Sequence, residues 1–122
     1  MNETEQETPM SEQFSDEFNV LTKAQDVLRE YGWRQGNGED ERSGYCVLDA
    51  VDKATEVLWG AGLCEKDENY YRSLEAFYTC IRTLDVLVEG RELSSIVSWN
   101  DKNGRTQQEV LDMLARAALK HA

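Results

Sequence analysis

The stretch that decides the fold is Asn69–Val88, NYYRSLEAFYTCIRTLDVLV. Tyr70, Leu74, Phe77, Tyr78, Ile81, Leu84 and Val88 recur at helical steps, with Arg72, Glu75, Arg82 and Asp85 between them. Steps of three and four residues lay apolar side chains along one face of an α-helix. Gly90 follows as a stop. The same period appears on either side. A first helix is expected from about Asn19 to Tyr31, with Leu21, Ala24, Leu28 and Tyr31 inward and Gly32 closing it. A second runs from about Tyr45 to Trp59, burying Val47, Leu48, Val51, Ala54 and Leu58, and ends at Gly60-Ala61-Gly62. The last begins at Thr106, where Thr106-x-x-Glu109 matches a capping box, and buries Val110, Leu111, Leu114, Ala117 and Ala118. Between these, Leu93–Trp99 suits one helical turn or an extended strap, and Asn100–Gly104 is dense in turn formers.

No segment sustains two-residue alternation, and the only proline is Pro9. The pattern therefore predicts an all-α fold: a small, irregular four-helix bundle, with room for one further short helix. At 122 residues the chain suits one domain. Residues 1–17 hold six acids and no base, too polar to bury surface against the entropy of ordering, and are expected to form a disordered acidic tail. Residues 18–122 then form the helical domain.

Charge and composition exclude some functions. The net charge is −11, but outside the tail 18 acids face 13 bases, so more than half of the imbalance lies in residues 1–17. Direct nucleic-acid binding is disfavoured, because it rests on clustered Lys and Arg. The longest apolar run, Tyr45–Leu48, is four residues, whereas a membrane span needs about 18 or more. The acidic, base-free start is unlike a secretory signal. A soluble, cytoplasmic protein is expected.

Cys46, Cys64 and Cys80 have no CxxC spacing and read as free thiols in a reducing compartment. With one histidine, His121, on a last turn expected to fray, a zinc site lacks ligands. The Asp101–Glu109 loop does not fit the twelve-residue calcium pattern. Cys46 falls at a helix start, where the dipole favours a thiolate, yet no base accompanies it, and a buried free thiol is the simpler reading. No cofactor or metal is expected.

Two places remain as candidate surfaces. Trp33, Gln35, Asn100, Asp101 and Arg105 come from two loops that could converge. Either they hold the fold, with Trp99 as an anchor, an Asx turn at Asn100 or Asp101, and Arg105 paired to Asp101, or they form a polar pocket for an anion or a partner's carboxylate. In the tail, Met10, Phe14 and Phe18 recur every four residues among acids. Phe14 and Phe18 either pack early on the first helix or contact a partner.

The loop residues also carry a resemblance. Trp33-x-Gln35-Gly36, Gly44-x-Cys46-x-Leu48-x-Ala50, and Trp99-Asn100-Asp101 with Arg105-Thr106 and Glu109-Val110 resemble a small domain-of-unknown-function family of actinobacteria and their bacteriophages. That family is marked by W-x-Q-G and WND…RT…EV blocks. The likeness spans about residues 20–118. It departs at Asp49, where a glycine is expected after C-x-L. It implies a phage-encoded or phage-derived protein and carries no chemistry with it.

Three functions are kept in view. The first is a non-enzymatic interaction module that binds a host or viral protein, with self-association left open. The second is an acidic DNA-mimic decoy that inhibits a nucleic-acid-binding protein through Asp49, Asp52 and Glu56. The third is a ligand-binding or enzymatic domain on the Trp33/Trp99 loops.

Overall fold

Ser15 starts the first helix. Its hydroxyl oxygen accepts from the Phe18 N–H at 3.0 Å, and Asp16 and Glu17 set negative charge against the exposed N–H groups of the first turn. Helix α1 then runs over Asp16–Tyr31 and ends at Gly32, whose N–H returns to the Leu28 carbonyl at 2.8 Å. Four more helices follow: α2 (Val47–Trp59), α3 (Glu68–Val88), α4 (Ile96–Asn100) and α5 (Gln107–Leu119). This computed structural model describes residues 13–36, 44–88 and 95–122. Among the described residues there is no strand, only an isolated parallel bridge between Trp33 and Tyr45.

Helix α1 is the hub, packing on α2, α3 and α5. It inserts Val20, Leu21, Ala24, Val27 and Leu28 into a core shared with Val47 and Val51 of α2, Leu84 and Val88 of α3, and Val110 and Leu114 of α5. Ile96 and Trp99 close one end from the short α4. The Thr106–Glu109 capping box is formed in both directions. No described helix is long and apolar enough to cross a membrane.

Several boundaries differ from the sequence reading. Helix α1 takes up Asp16 and Glu17, which had been assigned to the tail, because Ser15 supplies the cap. Met10 and the rest of residues 1–12 lie outside the described residues. Tyr45 precedes α2 rather than opening it, since its N–H and carbonyl are held by Gly32 and Arg34. The Leu93–Trp99 segment is helical from Ile96, with Ser95 as its cap, while Leu93 lies outside the described residues.

Helix α3 is rotated from the expected stripe. Its buried residues are Ala76, Cys80, Leu84 and Val88, while Leu74, Phe77 and Ile81 flank them half-buried and Tyr78 faces outward. Small residues at 76 and 80 let α1 approach closely: the Cys80 sulfur sits 3.7 Å from the Glu17 carbonyl oxygen. A bidentate ion pair of Arg72 with Asp16, at 2.9 Å for each bond, ties the same two helices from outside.

The C-terminal turn is held rather than frayed. The His121 ring meets the Thr83 hydroxyl at 2.8 Å, and the His121 carbonyl accepts from the Ser15 hydroxyl at 2.8 Å. Two sites 106 positions apart are thus joined.

Candidate functional site

The chain leaves α1 through Gly32 and returns to α2 through Gly44 and Tyr45. The Arg34 N–H donates to the Tyr45 carbonyl at 3.1 Å, and the Tyr45 N–H to the Gly32 carbonyl at 3.0 Å. Gly44 (φ +96°) is required at this crossing, since a Cβ there would stand 2.9 Å from the Gly32 oxygen. The bridge brings Trp33, Arg34 and Gln35 against the end of α4.

Asn100 sits at the centre and is 1% exposed. Its side-chain oxygen accepts from the Trp33 indole N–H at 2.6 Å and from the Val47 N–H, at the start of α2, at 3.0 Å. Its amide nitrogen donates to the Arg34 carbonyl at 3.3 Å and to Asp101 Oδ1 at 2.9 Å. That Asp101 oxygen also accepts from the Gly36 N–H at 2.8 Å. Gln35 donates from Nε2 to the carbonyls of Asn100 and Lys102, at 3.1 and 2.7 Å. A buried amide with both ends engaged is well satisfied, and it fixes the relative positions of the α1 exit, the α2 start and the α4 end.

Four of the five loop candidates therefore meet: Trp33, Gln35, Asn100 and Asp101. Arg105 does not join them, and its expected pairing with Asp101 is not formed. Its guanidinium lies 3.9 Å over the Trp99 ring, its Nε donates to the Trp99 carbonyl at 2.9 Å, and Glu109 stands 3.6 Å away. Asp101 has instead turned to Gly36 and Asn100. The hollow beside Asn100 is about 60 Å³, small against the roughly 300–1,000 Å³ of pockets that enclose small molecules.

Arg34 belongs to this knot and was missed in the sequence. It donates to the carbonyls of Gly44, at 2.8 Å, and of Gly36, and faces Asp49 at 3.7 Å. Asp49 is the position that departs from the resembled family, and here it meets a cation. Cys46 caps α2, with its sulfur accepting from the Asp49 N–H at 3.4 Å. Burial pushes the Cys46 thiol up, and the Asp49 charge adds to this, while the hydrogen bond from the Asp49 N–H works the other way. An activated thiolate is not what this environment favours.

Elsewhere, Phe14 and Phe18 stack with centroids 4.3 Å apart. Phe18 packs on the core edge, and Phe14 stays 43% exposed. On α2, Asp49 faces Arg34 and Glu56 faces Lys53 at 3.4 Å. Burial, together with the charges of Asp49 and Glu56, raises the Asp52 carboxyl. Among the described residues no three His, Cys, Asp or Glu side chains group as a metal-ligand set.

A further surface emerges on α3. Tyr71, Glu75, Tyr78, Arg82 and Val86 follow one another at three- and four-residue steps on the side away from the core. Tyr71, Tyr78 and Val86 are 59%, 56% and 64% exposed. In the sequence Tyr78 looked like core, and that assignment hid this face.

With the W-x-Q-G and WND blocks joined through one buried amide, the motifs define a structural unit. A model of a family of unknown function, DUF6197, matches residues 18–120. The chain belongs to DUF6197. The matched span starts in the first turn of α1 and ends at Lys120, so it takes in the five described helices apart from Asp16 and Glu17. No curated protein and no solved structure matches the chain. Among the described residues of the DUF6197 domain, the Trp33–Asn100 knot and the outer face of α3 both carry distinctive chemistry.

Proposed function

We propose that this DUF6197 chain is a non-enzymatic protein-interaction module, and that its contact surface is the outer face of α3. The observation that carries the reading is the exposure of Tyr71, Tyr78 and Val86 along one helical stripe. Tyrosine covers large area at low entropic cost and is enriched at protein interfaces. Glu75 and Arg82, between them, add charges of both signs that would set register with a partner. The resemblance of the loop blocks supports a phage-encoded or phage-derived protein acting on a host or viral partner. The free cysteines support a cytoplasmic setting.

The rival readings have less support. A DNA-mimic decoy needs an unbroken acidic face, and on α2 Arg34 and Lys53 stand against two of the three acids. A ligand site on the Trp33/Trp99 loops needs free donors, and those of Trp33, Gln35 and Asn100 are engaged within the fold.

The test is a pull-down from an actinobacterial lysate with the wild-type chain and with Tyr71→Ser/Tyr78→Ser. The expected result is a dominant partner held by the wild type and lost from the variant. Equal recovery by both, or none by the wild type, overturns the reading.

A further inference from the structure

Beside the C-terminal half of α3 lies a cleft of about 390 Å³. Val86 and Leu87 give it an apolar side, Arg82 and Lys120 supply positive charge, and Thr83 and His121 complete it. Arg82 donates to the Thr79 hydroxyl at 3.2 Å. Among the described residues neither Arg82 nor Lys120 is in an ion pair. In a chain of net charge −11, two cations thus flank an apolar wall. On the helices that flank the cleft, Asp16 is held by Arg72 and Asp85 by the Ile96 N–H at 2.8 Å.

The occupant that fits is acidic with an apolar element, and the sequence holds such a segment just before Ser15. Residues 1–12 carry Glu3, Glu5, Glu7, Glu12 and Met10 and no base. The path from this segment enters α1 at Ser15, whose hydroxyl is bonded to the carbonyl of His121, itself part of the cleft. An extended chain covers about 3.5 Å per residue, so Glu12 lies within about 10 Å of Ser15 and Met10 within about 17 Å. Both fall within reach of the cleft.

We infer that the cleft between α3 and the C-terminal turn binds the chain's own acidic segment, residues 1–12. The glutamates meet Arg82 and Lys120, and Met10 covers Val86 and Leu87. Exposed ion pairs are individually weak and screened by salt. The short tether compensates by holding the segment at an effective concentration on the order of millimolar. The cleft shares Arg82 and Val86 with the far end of the α3 face proposed as a contact surface, but its readout needs no partner, so the two proposals fail separately.

The test compares NMR spectra of the full-length chain with those of a full-length variant carrying Glu3, Glu5, Glu7 and Glu12→Gln. Shift differences are expected at Thr83, Leu87, Lys120 and His121 and not along α2. They should vanish in about 1 M salt, where the Debye length is ~3 Å. A synthetic peptide of residues 1–14 added to the Gln variant should move the same resonances. The full-length Arg82→Glu/Lys120→Glu variant should not hold its own segment. An absence of differences in the cleft overturns the inference. So does a segment unaffected by Arg82→Glu/Lys120→Glu, and so do cleft shifts that depend on protein concentration, which would mark a second copy as the occupant.

Discussion

Replacing Asn100 with alanine should remove the one group that holds three segments together, and the cost can be built from its contacts. The Val47 N–H lies wholly inside and would lose its only acceptor. A buried unsatisfied donor costs about 1–3 kcal/mol. The Trp33 indole N–H is only half-buried, can turn to water, and adds about 1 kcal/mol. Together these give a loss of about 3 kcal/mol. With a urea slope of about 1–3 kcal/mol per molar, the midpoint should fall by about 1–3 M. Urea unfolding followed by the fluorescence of Trp33, Trp59 and Trp99 measures it. Combining Asn100→Ala with Trp33→Phe should fall short of additivity, because the two share one bond. Asn100→Asp separates acceptance from donation. It keeps both accepted bonds, but sets a carboxyl where an amide N–H faced Asp101 Oδ1 at 2.9 Å. Loss of that donated bond should make Asn100→Asp less stable than the wild type even though both acceptors are kept. An alanine variant within about 0.5 kcal/mol of the wild type, less than one ordinary hydrogen bond, would refute the reasoning.

Four further outcomes are expected. Gly44→Ala should cost several times more than Gly36→Ala, because a Cβ at 44 meets the Gly32 backbone whereas one at 36 meets open space, although both have positive φ; paired thermal melts decide it. Thr106→Ala should cost about 1 kcal/mol by opening the capping box, read as a lower melting temperature. Alkylation mapped by mass spectrometry should mark exposed Cys64 first, half-buried Cys46 later, and Cys80 only on unfolding. Because burial raises the Cys46 and Cys80 thiols above 9.0, the unfolded chain ionises first, and stability should fall as pH rises above that value.

The helices were largely legible because their punctuation is local. Gly32, Gly60 and the Thr106–Glu109 box act on groups within four residues, so the sequence carries them directly. The face of α3 was not. Periodicity weights large residues, yet Ala76 and Cys80 are buried because α1 comes close there, and nothing within the segment encodes that approach. Tyr78 was therefore assigned to the wrong side. Asn100 shows the same limit. Turn-forming character was visible, but its burial depends on an indole 67 positions away and a backbone N–H 53 positions away. The pairing expected between Arg105 and Asp101 failed because local nearness was outweighed by the Trp99 ring beneath the guanidinium.

The Ser15–His121 bond makes the fold nearly circular. The start of α1 and the C-terminal turn are neighbours, so little in the described packing depends on which covalent link between helices is left open. A rearranged chain could join the old ends with a few residues and begin anew between Gly36 and Gly44. It would keep the Asn100 amide, the parallel bridge and the core in place, since each is held from flanking segments. That makes the connection between α1 and α2 a natural seam for inserting a reporter or dividing the protein into complementing fragments.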